Sequence, residues 1–145
     1  MNKNNSYAFD WNYNSNVEKL NKLLPLFKKV FGFEESLLKE FFVSGFHNST
    51  YTPFTLFNDE VPIANVSMFD MPLLINHQKV IIAGIQSVMT EPQYRGKGLF
   101  KKLFELMLFE IDSRFDSSFL FTSIPELYRP FGFREVKETF FVASL

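Results

Sequence analysis

The chain contains no cysteine. That excludes a disulfide framework, a thiol nucleophile and any acyl-cysteine intermediate. Histidine is almost as scarce. His47 and His77 fall in predicted turns and read as surface residues, so no metal site is expected. No apolar run approaches the roughly 20 residues that a bilayer-spanning helix needs. The opening MNKNNSYAFD lacks the apolar core of a signal peptide. A cytoplasmic location without a membrane partner is therefore expected. An excess of either charge is missing too. Fifteen Lys and Arg against 16 Asp and Glu leave a net charge of −1. General nucleic-acid binding, which wants a basic surface, is not expected. Repeats, linkers and low-complexity tracts are also absent.

At 145 residues, 46% of them hydrophobic, the chain can build one globular domain with a real core, spanning 1–145. Its 20 phenylalanines, beside abundant Asn and Lys, fit an AT-rich genome better than an aromatic ligand box. Ser6–Trp11 reads as a first strand. Ser15 and Glu18 form a capping box ahead of apolar residues at helical spacing, Leu20, Leu23, Leu24, Phe27, Val30 and Phe31. Pro25 predicts a kink or two short helices there. A second helix is expected over Glu34–Phe42, stopped near Gly45, and Lys28-Lys29 is a solvated helix face.

Strands are expected over Phe54–Phe57, Ile63–Met68 (running on towards Leu74) and Val80–Thr90. Turns at Asn58-Asp59-Glu60 and Asn76-His77 separate them. Leu99–Ile111 is a strongly apolar helix for which heavy burial is expected. Phe119–Thr122 reads as a strand buried on both faces. Ser123 and Glu126 suggest a second capping box, with Pro125 in the first turn and Gly132 at the helix end. Phe133–Ser144 reads as a last strand or hairpin.

The most informative stretch is Ser87–Leu103, SVMTEPQYRGKGLFKKL. A β-branched run leads through a Pro-containing turn into a glycine-rich basic loop, which opens directly into a helix. The first N–H groups of a helix lack intrahelical partners, and the dipole adds positive charge there. Glycines admit a ligand close to the backbone. Phosphates are the expected ligand. No Gly-Lys-Ser/Thr follows, so this is not a P-loop, and QxxGxG is not the dinucleotide fingerprint. Arg95, Lys97, Lys101 and Lys102 crowd a helix N-terminus, where cations are unfavourable. A bound polyanion would explain them; solvated surface charge is the plainer alternative.

The pattern resembles the acetyl-CoA loop of the GNAT superfamily of N-acetyltransferases, (Q/R)-x-x-G-x-(G/A), with Gln93, Gly96 and Gly98 in its fixed positions. Thirty residues on, Tyr128, Gly132 and Phe133 match the family's Y-x-x-x-G-F. The wording VMTEPQYRGKGL and YRPFGF is most similar to the N-terminal catalytic domain of the Eis-type (enhanced intracellular survival) branch. The resemblance implies an α/β fold of the α+β type. Its central, mostly antiparallel twisted sheet is flanked by helices, in the order βααβββαβαβ, with two central strands splayed apart. The family's last strand would be short or missing here. The exposed edge would then meet another copy of the chain, as in a homodimer, or the chain would be a piece of a longer protein.

Acetyl-CoA is the implied cosubstrate, with no metal. The resemblance places its pyrophosphate on the amides of Arg95, Gly96, Lys97, Gly98 and Leu99, and Phe100, Lys101 and Lys102 along it. Arg95, Lys97, Lys101 and Lys102 are candidates for the 3′-phosphate end. Val88, Met89 and Thr90 would meet the pantetheine arm and aim an N–H at the thioester carbonyl. Tyr128 would protonate the leaving thiolate, and Ser123 would sit at the cleft mouth as helix cap or cofactor contact. The plainer roles are an ordinary strand end, a packed Tyr and a cap.

Glu91, Asp70 and Glu126 are the carboxylates considered as general base, each also explicable as a solvated or capping charge. In the Eis-type branch the C-terminal carboxylate enters the active site, but Leu145 is not assigned that role. The resulting expectation is direct acetyl transfer to a primary amine of a small molecule or peptide. The pocket walls, drawn from the N-terminal helices and the Ile63–Val80 hairpin, carry no readable code. A non-catalytic acyl-CoA-binding or regulatory module, or one domain of a larger transferase, are the alternatives.

Overall fold

The structure, a computed structural model, describes residues 7–44 and 48–137. Five strands form one sheet in chain order. They are β1 (Ala8–Trp11), β2 (Thr52–Asn58), β3 (Val61–Ile75), β4 (Gln78–Thr90) and β5 (Ser118–Phe119). The first four are antiparallel, and β5 runs parallel to β4. Helices α1 (Val17–Asn21), α2 (Leu24–Phe31) and α3 (Glu35–Val43) fill the β1–β2 connection, and α4 (Leu99–Arg114) crosses from β4 to β5.

Both hairpin turns place two consecutive residues at positive φ: Asp59 and Glu60, then Asn76 and His77. Two-residue loops of that kind match the strand twist. The helix break at Pro25 is present, with the proline in the first turn of α2. The N-cap of α1 is Asn16, not Ser15; its Oδ1 accepts from the Lys19 N–H at 2.9 Å. Asn caps as well as Ser, and Glu18 then falls outside the N3 position. Gly45 and His47 lie outside the described residues.

The main core lies between the sheet and α4. Phe54, Leu56, Val66, Met68, Ala83 and Ile85 meet Leu103, Phe104, Met107 and Ile111. A smaller cluster of Tyr13, Leu20, Leu23, Tyr51 and Phe57 lies apart from it. Heavy burial of α4 holds for one stripe only, since Phe109 is 80% exposed. The parallel crossover is as expected, but β5 is only two residues long. Its pairing ends at Gly84↔Phe119, and β4 runs on to Thr90 without it. The expected Phe119–Thr122 strand, buried on both faces, is therefore corrected, and Phe121 is 76% exposed.

The helix expected after Ser123 is replaced by two 3-10 turns, Pro125–Leu127 and Arg129–Phe131. Pro130 has no N–H for an α-helical bond and would clash with the preceding turn. No side chain caps either turn. Ser123 is exposed, and it is Thr122 whose Oγ1 accepts from the Ile124 N–H at 3.0 Å. Residues 133–137 form no strand; the remainder of the expected Phe133–Ser144 element lies outside the described residues.

Candidate active site

β4 delivers its last residues into an open cleft. The Ala83 N–H donates to the Ser117 carbonyl, on the β5 side, at 3.0 Å. The Glu91 N–H donates to the Ile63 carbonyl of β3 at 2.9 Å. In an unbroken strand, residues an even number apart send their N–H groups to the same side. Here they go to opposite sides because β4 carries one extra residue. Asn65 stands opposite Met89 while Ser67 stands opposite Gln86, which leaves Ser87 and Val88 against Val66 alone. Ser87 sits at φ 54°. This is a β-bulge with its first residue left-handed. Counting back from Glu91, Met89 addresses β3, whereas the Val88 and Thr90 N–H groups face the side that β5 has left. The Val88 side chain packs against the α4 core cluster, and Met89 is buried.

Beyond β4, Pro92–Tyr94 makes one 3-10 turn and the glycine loop follows. Gly96 and Gly98 adopt φ 74° and 73°, which L side chains rarely accept. A Cβ at either would meet nothing within 4 Å. That open space is the cradle a side chain would fill. Gly98 is the N-cap of α4 and no side chain caps that end. The first amides of a 16-residue helix thus stand beside an open, glycine-walled loop, a setting that suits a phosphate.

The four cations are not equivalent. Arg95 Nε donates to the Thr90 carbonyl at 3.2 Å. Lys97 Nζ lies 4.6 Å from the centroid of the Tyr94 ring, and Lys101 pairs with Glu105 at 3.8 Å. Lys102 makes no ion pair with a described residue. Gln93, a fixed residue of the loop pattern, turns inward, its Nε2 donating to Glu91 Oε1 at 3.0 Å. Glu91 is buried and also meets Lys29 Nζ at 2.6 Å. It tethers the loop to α2.

The second sequence motif comes to the first through aromatic packing. Tyr128 is 6% exposed. Its ring stands edge-on to Phe100, in the first turn of α4, at 5.9 Å, and lies 5.5 Å from Phe104. Burial pushes its phenol pKa up, and a hydrogen bond with Thr122 offsets part of that. A cavity of about 1100 Å³ is lined by Ser123 and Tyr128 but by no residue of β4 or of the glycine loop. It lies between α4 and residues 115–136. Asp70 meets Arg114 at 3.4 Å. Arg114 ends α4, about 22 Å from the helix start at about 1.5 Å per residue. Glu126 is exposed and His77 lies in its turn. Among the described residues no His, Asp and Glu side chains cluster to hold a metal, and no helix is long and apolar enough to cross a membrane.

Sequence reasoning missed the bulge at Ser87. A serine within a β-branched strand carries no mark of positive φ, and only the pairing with β3 reveals it.

The family model of the acetyltransferase (GNAT) domain matches residues 14–136. Among curated proteins none matches. An aminoglycoside 6′-N-acetyltransferase from Acinetobacter haemolyticus superposes with a TM-score of 0.72 at 12% identity, covering 95% of this chain and 98% of that one. A predicted acetyltransferase from Clostridium acetobutylicum, solved with acetyl-CoA, gives 0.69 at 15% identity, with 94% and 96% covered. An Enterococcus faecalis protein titled a probable N-acyltransferase gives 0.74 at 20% identity, covering 88% of this chain and 32% of that one.

Proposed function

This chain belongs to the GNAT acetyltransferases, and on that premise we propose that it moves the acetyl group of acetyl-CoA directly to a primary amine of a small molecule or peptide. The observation that carries the reading is the glycine loop. Two left-handed glycines border open space at the uncapped start of α4, with Lys97 and Lys102 nearby. The amides of Arg95–Leu99 hold the pyrophosphate, and Phe100, Lys101 and Lys102 lie along the cofactor. Val88 and Thr90 offer backbone N–H groups to the thioester oxygen, which gains negative charge as the amine attacks. The new C–N bond forms and the C–S bond breaks; Tyr128 gives its proton to the departing sulfur, the amine nitrogen sheds a proton to water, and water returns one to the phenolate. Without cysteine, both substrates must be held together, and their orientation supplies much of the rate. Ser123 borders the site as a cofactor contact. We read 1–145 as one such domain, nearest the Eis-type branch on the wording of its two motifs. The solved structures named above speak to the fold alone.

Calorimetry with CoA tests the loop. Asn tolerates positive φ, so Gly98→Asn keeps the backbone while filling the open space. CoA affinity should fall on the order of tenfold with the fold intact. Dephospho-CoA should bind the parent more weakly than CoA, and the gap should narrow with salt if Lys97 or Lys102 meets the 3′-phosphate. Unchanged CoA affinity in Gly98→Asn would contradict the assignment.

A further inference from the structure

A chain of buried polar side chains converges on the β4 bulge. Asn65 of β3 is fully buried. Its Nδ2 donates to the Ser87 carbonyl at 2.8 Å and to Ser67 Oγ at 2.9 Å. Its Oδ1 accepts from Thr55 Oγ1 at 2.7 Å. Ser67 Oγ in turn donates to the Tyr51 hydroxyl at 2.8 Å, and Tyr51 is within hydrogen-bonding reach of Ser87 as well. Tyr13 extends the chain through Thr55. Every buried side-chain polar atom among the described residues has a partner. An apolar core would have been simpler to build, since a buried network costs unless it is fully satisfied. What this one holds is a serine at φ 54°, a conformation that non-glycine residues adopt only when their surroundings enforce it.

We propose that Asn65 is a positioning residue for acetyl transfer: by gripping the Ser87 carbonyl, with Ser67 and Tyr51 behind it, it locks the bulge that turns the Val88 N–H into the cleft. Without the extra residue, Val88 would send its N–H to β3 and the cleft would lose the donor for the thioester oxygen. The bulge also lets Ile85 and Val88, three apart, share the α4 face. The inference rests on the reading of the cleft beyond β5 as the thioester site. The anchoring itself does not, and it is measured separately.

Two variants approach the bulge from opposite strands. Asn65→Ala removes the grip, and Ser87→Val puts a β-branched residue where φ must be positive. In the ligand-free protein, amide exchange at Met89 and Glu91 should quicken at least tenfold in both, while Ile82–Ile85 stay protected. In transfer assays kcat should fall about 100-fold, the usual loss of one such donor, with KM for acetyl-CoA within about threefold. Glycine needs no anchor at positive φ. Ser87→Gly placed in the Asn65→Ala protein should therefore restore at least tenfold of the lost kcat. A folded Asn65→Ala protein with parental exchange at Met89 and Glu91 would overturn the anchoring, as would loss of kcat that Ser87→Gly does not relieve. Should Asn65→Ala not fold, Ser87→Val with parental exchange or parental kcat overturns it equally. A parent that transfers acetyl to no amine would refute the transferase reading, and the exchange result would judge the anchor alone.

Discussion

Burial raises the Tyr128 phenol above its ordinary pKa of about 10, and the hydrogen bond with Thr122 only partly opposes that. A raised phenol pKa keeps the proton on to higher pH, as a general acid requires. No falling limb in kcat should arise from Tyr128 below about pH 10. Tyr128→Phe keeps the ring against Phe100 and Phe104 and removes only the donor. It should lower kcat roughly 100-fold, at the low end of general-acid effects because thiolate leaves fairly well, with a near-parental Kd for acetyl-CoA. A kcat within about twofold of the parent would make Tyr128 a packing residue. At this scale the sequence is readable where spacing encodes geometry. Gly96 and Gly98 could be picked out by their spacing from Gln93, and both take the positive φ that favours glycine. Glu91 could not be assigned, because its partners, Lys29 and the Ile63 carbonyl, come from distant elements. It is held as a tether between α2 and the loop.

Between elements, the decisive event is the parting of β4 and β5. Gly84 is the last residue of β4 paired to β5, opposite Phe119. On its other side it faces Phe69 of β3, whose ring covers the glycine so closely that an added Cβ would lie 2.3 Å from Cζ. Gly84→Ala must push that ring aside. We expect a loss of about 1–3 kcal/mol, as for other overpacked sites, read as a lower denaturant midpoint at constant m. An unchanged midpoint would mean that Phe69 moves freely. Strands and hairpin turns were legible because alternation and turn residues are local signals. The helix expected after Ser123 failed because the capping box was outweighed by Pro130, which leaves room only for 3-10 turns. The heavy burial expected for α4 holds for one stripe only, because composition does not say which stripe meets the sheet. Leu103, Phe104, Met107 and Ile111 do, and Phe109 does not.

Taken whole, the molecule joins its two motifs by one crossover. The order strand, glycine loop, helix and strand was visible along the chain, with Tyr128 beyond it in an expected helix that is a pair of 3-10 turns. The ring contact of Phe100 with Tyr128 is what brings the two motifs together. No acceptor code was legible in the N-terminal helices and the Ile63–Val80 hairpin, whose residues follow packing demands. An amine panel therefore has to span primary amines of both small molecules and peptides. The central claim, direct transfer from acetyl-CoA to an amine, meets its most direct test in CoA release from acetyl-CoA across such a panel, with mass spectrometry of the acceptor. The account predicts release that depends on the amine, matched mole for mole by acetylated product and lowered in Tyr128→Phe. A protein that binds acetyl-CoA yet releases no CoA with any amine would contradict it and identify the chain as an acyl-CoA-binding module.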